Sequence, residues 1–195
     1  MDHEIRGGLR GEVRADGNAV QVSGHAAVFG ETTEIMGLFR ERIEPGAFAE
    51  TLARGDDVVF LVNHEGLPLA RTRSGTLALS EDNRGLKVDT TLDGADPDVQ
   101  AIVPKMQRGD LDKMSFAFHV DIEEWDDTGP MPLRIIKRAT LYDVSIVTTP
   151  AYDGTDIGLR SLEAHRRQVR KHNFSAARLR LRMKRDLALR VRETG

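Results

Sequence analysis

The sequence predicts an α+β fold that is mainly β: a partly closed antiparallel β-barrel with peripheral helices and a C-terminal basic amphipathic helix. Three observations carry this. Short segments that alternate apolar and polar residues, or run apolar for strand length, recur through residues 1–160. Only two stretches within that span have helical spacing and helix-type ends. Residues 161–195 change character and become a basic tail. The expected division is therefore a domain at 1–160 and a tail at 161–195.

Taken in order, the N-terminal "MDHEIRGGLRGEVRADG" is polar and mixed in charge, unlike a signal peptide. "NAVQVSGHAAVFG" (18–30) alternates, is rich in Val and is bounded by Gly, as a strand should be. "PGAFAETLARG" (45–55) opens on Pro, closes on Gly and spaces Ala47, Phe48 and Leu52 helically, which predicts a short helix. "DDVVFLVNH" (56–64) holds a continuous apolar run of strand length. "GTLALSEDNRGLKVDTTL" (75–92) predicts two strands around a turn at Glu81 to Gly85. "DPDVQAIVPKMQRGD" (96–110) predicts a helix that Pro104 kinks or shortens. "MSFAFHVDIEEW" (114–125) and "LRIIKRATLYDVSIVTT" (133–149) are predicted strands joined by "DDTGPMP". In the tail, Ala176, Leu179, Met183, Leu187 and Val191 share one side of a helical wheel, with Arg178, Arg182 and Arg185 opposite.

Charge is divided along the chain. Residues 160–195 hold ten Arg, two Lys and three acidic residues, a net of +9, which leaves −12 for residues 1–159. An acidic body with a basic tail suggests docking on something acidic, or on the body itself. There are no cysteines, which excludes disulfides, thiolate metal sites and a cysteine nucleophile, and fits a reducing cytosol. No run of 18 apolar residues occurs, so no membrane helix is expected. Phosphate-binding, dinucleotide-binding and nucleophile-elbow motifs are missing. "NHEGLP" lacks the second histidine of a zinc motif; neither a metal nor a cofactor is expected.

The residues that could carry chemistry are few. Ser115 heads an alternating strand. A nucleophilic serine needs a base within roughly 3 Å, and that base needs a third group to fix its tautomer. His119, four residues along the same strand, is about 13 Å away and too distant. His64, at the end of the 56–64 strand where a loop begins, is the better partner. Asp143 lies inside an apolar strand, where an acid needs a partner; that partner is His64, or alternatively Arg134 or Arg138. Ser145 shares the face of Asp143 and competes with Ser115 as nucleophile. Spacing alone leaves Ser115, His64 and Asp143 as one combination among several. A non-catalytic β-barrel binding protein that docks through its basic tail also explains the charge split and the β pattern. A tail that binds nucleic acid has cations enough for phosphate contacts, but Phe174 is its one aromatic, so sequence-specific reading is not expected.

The segments "GHAAVFG", "ERIEPGAFAETL", "VVFLVNHEGLPLARTRSGTLAL", "GLKVDTTL", "KMSFAF" and "LYDVSIVTTPAYDGT" occur in an order that resembles the prohead (procapsid) maturation serine proteases of tailed bacteriophages. The resemblance covers roughly residues 4–160, and that family shares a herpesvirus assemblin-like fold. It implies a serine endopeptidase with Ser115 as nucleophile and His64 as base. The family's third member is usually a glutamate; here Asp143 holds that position, one methylene shorter, so either its strand sits closer to His64 or the third role falls elsewhere. His119 is similar in kind to the second histidine of the herpesvirus relatives, but its position does not match. The resemblance further implies location inside the procapsid in the host cytoplasm. The implied partners are the major capsid protein with its scaffold segment, the protease itself through autocleavage, and a homo-oligomer.

Overall fold

The alternating segments become strands, and in the computed structural model they join one sheet. Described are residues 3–16, 18–149 and 157–171, with the single positions 180 and 183. The first half of the chain gives β1 (Glu4–Asp16), β2 (Ala19–Val28), β3 (Thr32–Ile35), β4 (Phe39–Ile43), α1 (Ala49–Arg54), β5 (Val59–Val62) and β6 (Glu65–Arg71). The second half gives β7 (Leu77–Glu81), β8 (Gly85–Asp93), α2 (Pro97–Gln107), β9 (Lys113–Asp126) and β10 (Leu133–Val147). Two compact units result, Met1–Thr155 and Asp156–Gly195. In the second, residues 157–171 are helical and Glu163 pairs with Arg167 one turn on. Position 183 is helical and Met183 is exposed. The rest of the expected amphipathic face, Ala176, Leu179, Leu187 and Val191 with Arg178, Arg182 and Arg185, lies outside the described residues.

The strand order is β3-β4-β10-β9-β1-β2-β8-β7, with β5 paired to β10 and β6 to β5. This path begins at β3 and ends at β7, so the sheet is mainly β as expected but open rather than a closing barrel. Nor is it wholly antiparallel. β10 pairs in parallel with β4 through Leu133–Ile136 and again with β5 through Asp143–Ile146. The chain therefore leaves the edge of β10 after Ile43, passes through α1 and rejoins the same edge. The gap is filled by hydrogen bonds, since buried backbone groups need partners: Glu44 N–H to Ile136 O (3.0 Å), Ala139 N–H to Ala47 O (2.8 Å) and Leu141 N–H to Thr51 Oγ1 (3.3 Å).

The helix expected at 45–55 is shorter, because Gly46 has φ +88° and Phe48 is the last residue before the helix. A left-handed residue at 46 cannot belong to a right-handed helix. α2 runs through Pro104 to Gln107; Asp96 caps it, accepting the Asp98 N–H at 2.8 Å, and Pro97 opens it.

The N-terminal segment, read from sequence only as polar and mixed, is a thirteen-residue strand. Its first half pairs with β9 and its second with β2, and the ladder slips between Gly7 and Leu9. Gly8, the extra residue, has φ +131°, a conformation favouring glycine. The polar side chains Glu4 and Arg6 are buried because they enter an ionic network. Arg6 bonds Glu4 and Glu41 (both 2.7 Å). Arg134 bonds Glu4 (2.8 Å), Glu41 (3.0 Å) and Glu123 (2.6 Å). β1, β4, β9 and β10 are tied at one point. Burial works to lower the pKa of Arg134, but the Glu4 hydrogen bond and the charges of Glu4, Glu41 and Glu123 win and raise it. On the same side of β9, Phe116 packs edge-on to Phe48 (5.7 Å) and stacks on Phe118 (4.9 Å), within the apolar core.

At the β7–β8 turn, Asp82 accepts the N–H groups of Arg84 (2.8 Å) and Gly85 (3.0 Å), and His25 of β2 approaches it at 2.9 Å. The His25 hydrogen bond first, then those of Gly85 and Arg84, hold the Asp82 pKa down at about 2.

Two stability measurements follow from these groups. Removing one partner of a buried ionic network leaves uncompensated charge, so Arg134→Met should cost about 3–5 kcal/mol in urea unfolding. Arg138→Ala breaks only the half-exposed pair with Glu50 and should cost less than about 1 kcal/mol; equal losses would contradict the network. Because the Asp82 pKa is depressed on folding, its contribution is present above about pH 4 and lost as pH falls toward about 2. Urea midpoints taken from roughly pH 5 down to about pH 2 should fall more steeply for the native chain than for Asp82→Asn.

Candidate active site

Strand register brings the candidate residues together. Ser115 of β9 stands opposite Ser145 of β10 on one side and Gly7 of β1 on the other. Asp143, two residues before Ser145, shares its face and pairs with Val59 of β5. Ser115 lies on the face of β9 away from Phe116, so the nucleophile candidate and the aromatic core occupy opposite sides of one strand.

His64 arrives by a different device. Val62 and Glu65 are paired, so β5 and β6 are joined by a two-residue turn of Asn63 and His64. Both have positive φ, +51° and +61°. A primed hairpin turn demands this, and its usual occupants are Asn then Gly. His64 stands where glycine is preferred, a conformation that costs a side-chain-bearing residue about 1–2 kcal/mol. Three bonds to the end of β10 and beyond hold the turn: Asn63 N–H to Ile146 O (3.0 Å), Thr148 N–H to Asn63 Oδ1 (3.1 Å) and His64 N–H to Ser145 Oγ (3.2 Å).

The imidazole then faces two partners. Nε2 is 2.7 Å from Ser115 Oγ, and Nδ1 is 2.6 Å from Asp143 Oδ1. Ser145 Oγ donates to Asp143 Oδ1 at 3.0 Å and lies 3.3 Å from Nδ1. Ser115 and Ser145 have no exposed surface, and the His64 and Asp143 side chains retain 8% and 12%. Low local polarity strengthens such bonds. The shorter aspartate reaches His64 because β5 and β10 are adjacent and hydrogen-bonded. Ser115 Oγ also bonds the Arg6 carbonyl at 2.8 Å. A hydroxyl has one proton. If Nδ1–H points to Asp143, the Nε2 lone pair and the Arg6 carbonyl compete for it.

The alternatives raised by the sequence fall elsewhere. Arg134 binds Glu4, Glu41 and Glu123, and Arg138 binds Glu50, so neither is the partner of Asp143. His119 is exposed beside Thr140. Cavities of about 240 and 430 Å³ border Gly7, Gly8 and Phe116 in one case and Glu12, Gln21 and Thr91 in the other. Ser115, His64 and Asp143 line neither. Among the described residues no cluster of three His, Cys, Asp or Glu could hold a metal ion. No described helix is long and apolar enough to cross a membrane. Sequence reasoning missed Arg6 and Gly7. The polar N-terminal segment gave no period-2 apolar signal, so nothing indicated that its backbone passes the serine.

A serine, a histidine and an acid in this hydrogen-bonded order are the grouping of a serine hydrolase. A family model described as caudovirus prohead serine protease matches residues 10–168. The chain belongs to this family. The prohead protease match takes in β2 to β10 and most of β1, and with them Ser115, His64, Asp143 and Ser145. It makes the chain a serine peptidase of phage capsid maturation. Comparison with curated proteins and with solved structures returns no match.

The strained turn can be tested apart from activity. Asn63→Gly and Asn63→Ala both lose the bond from Thr148, but only alanine must pay for the left-handed backbone. Asn63→Ala should be less stable than Asn63→Gly by about 1 kcal/mol in urea unfolding; an alanine variant as stable as the glycine variant would contradict the turn geometry.

Proposed function

We propose that this prohead protease is an endopeptidase with Ser115 as nucleophile, His64 as general base and Asp143 as the group that orients the imidazole. The observation that carries the reading is the continuous chain from Ser115 Oγ to His64 Nε2 and from Nδ1 to Asp143 Oδ1, 2.7 and 2.6 Å. Ser145 fits the nucleophile less well, because it approaches Nδ1, the nitrogen already turned to Asp143. Ser115 Oγ attacks the scissile carbonyl as its proton passes to Nε2. Asp143 stabilises the imidazolium through Nδ1–H, and the proton then goes to the leaving amine. Water repeats the sequence on the acyl-enzyme. For attack to begin, the Ser115 proton must turn from the Arg6 carbonyl toward His64.

The substrates are the scaffold or the scaffolding segment of the major capsid protein, and the protease itself, inside the procapsid in the host cytoplasm. The ordered segments from "GHAAVFG" to "LYDVSIVTTPAYDGT" support that assignment, as they support an assemblin-like architecture for residues 1–160. The basic residues of 161–195 suit a tail that docks on an acidic scaffold or shell, with no sequence-specific nucleic-acid role.

Co-expression with the capsid protein, followed by mass spectrometry of fragments, tests the proposal. Ser115→Ala should lower capsid cleavage and self-processing on the order of 10³-fold or more. Asp143→Asn should be milder than His64→Ala if the aspartate only orients. Full cleavage by Ser115→Ala would remove the assignment. An intact capsid protein with the unaltered chain would favour a binding role instead.

A further inference from the structure

We propose that Ser145 is a positioning residue, a side chain that fixes both His64 and Asp143. This rests on the serine-protease reading above. Ser145 Oγ accepts the His64 N–H at 3.2 Å and donates to Asp143 Oδ1 at 3.0 Å. A hydroxyl has one proton to give and lone pairs to accept, so both bonds form at once. Its residue is wholly buried. A buried serine with a purely structural task could bond its own strand's carbonyls. This one instead spends both capacities on the two residues that flank it in space, and it does so where the backbone is strained. His64 holds φ +61°, and Ser145 supplies an acceptor for the amide of that left-handed residue.

The consequence is mechanical. Without the hydroxyl, the His64 amide loses its acceptor, the turn is free to relax, and the Asp143 carboxylate is free to rotate away from Nδ1. Errors of an ångström in such groups lower rates on the order of 10²-fold. Binding of a reagent that touches only Ser115 and its surroundings is not affected. The role is therefore read in the bond-forming step rather than in affinity.

The test uses the full chain and fluorophosphonate–rhodamine. Ser115 Oγ attacks phosphorus, fluoride leaves and the proton goes to His64. In Ser145→Ala the inactivation constant kinact should fall about 10- to 100-fold while KI stays within about twofold. Ser145→Thr, which keeps a hydroxyl, should recover most of the loss. Undiminished kinact in Ser145→Ala, equal losses in alanine and threonine variants, or label found on residue 145 would each overturn the proposal. Folding of the alanine variant is not essential. In the Ser115→Ala chain, the His64 amide should be protected from hydrogen exchange on the order of 100-fold, and exchange at the unprotected rate also overturns it. Ser115→Ala serves as the control: if it labels at the native rate, the protease reading itself fails. If Ser115→Ala is unlabelled and Ser145→Ala reacts normally, only the role of Ser145 fails.

Discussion

The pairing of β10 on both edges is the constraint on which the site depends. One edge runs antiparallel to β9 and sets Ser145 opposite Ser115. The other edge receives β5 in parallel and sets Leu61 opposite Ser145. His64 follows β5 by two residues and so emerges beside the acid and the serines of the neighbouring strands. Because side chains alternate strictly along a strand, a one-residue slip on either edge would turn Asp143 or Ser115 to the wrong face. The register is secured away from the site, by β4 on the same edge of β10 and by the hydrogen bonds from the α1 region that bridge the gap.

A second constraint acts from the far side of β9. The Arg6, Glu4, Glu41, Arg134 and Glu123 network ties the first residues of β1 to three other strands. Buried ion pairs repay their desolvation poorly, so stability alone is a weak reason for them. Their geometric effect is definite. Arg6 is anchored by its side chain, and its carbonyl bonds Ser115 Oγ. Gly7, next in the chain, stands so close that an added Cβ would lie 2.4 Å from Met114 O and 2.8 Å from Ser115 Cβ. The backbone of β1 is thus seated against the nucleophile candidate by charges located on the opposite face.

His64 shows the cost of seating an imidazole in a primed hairpin turn. A glycine would suit its turn better, yet a glycine has no imidazole. Proteins retain such strain where the surroundings over-determine it, and here the surroundings are Asn63, Ser145 and the end of β10.

Much of the strand pattern was legible in the sequence, because alternation and turn residues are local signals. The strands at 18–30, 56–64, 75–92, 114–125 and 133–149 could be read in this way, as could α2 with its Asp96 cap. β1 could not, since Glu4 and Arg6 become core residues only when Glu41 and Arg134, far off in the chain, supply opposite charge. The start of α1 could not, since the left-handed backbone at Gly46 is not dictated by its neighbours. For the site, the sequence by itself determined which residue types were available and that Ser115 could not use His119, because strand rise makes that distance too long. It left Ser145 as a rival to Ser115 and left Asp143 free to pair with either arginine. The partner of Asp143 was a matter for tertiary structure. Only the parallel return of β5 beside β10 brings the His64 turn over Asp143, and only the buried network draws Arg134 away from it. Both are contacts between distant segments, whose geometry no local pattern encodes.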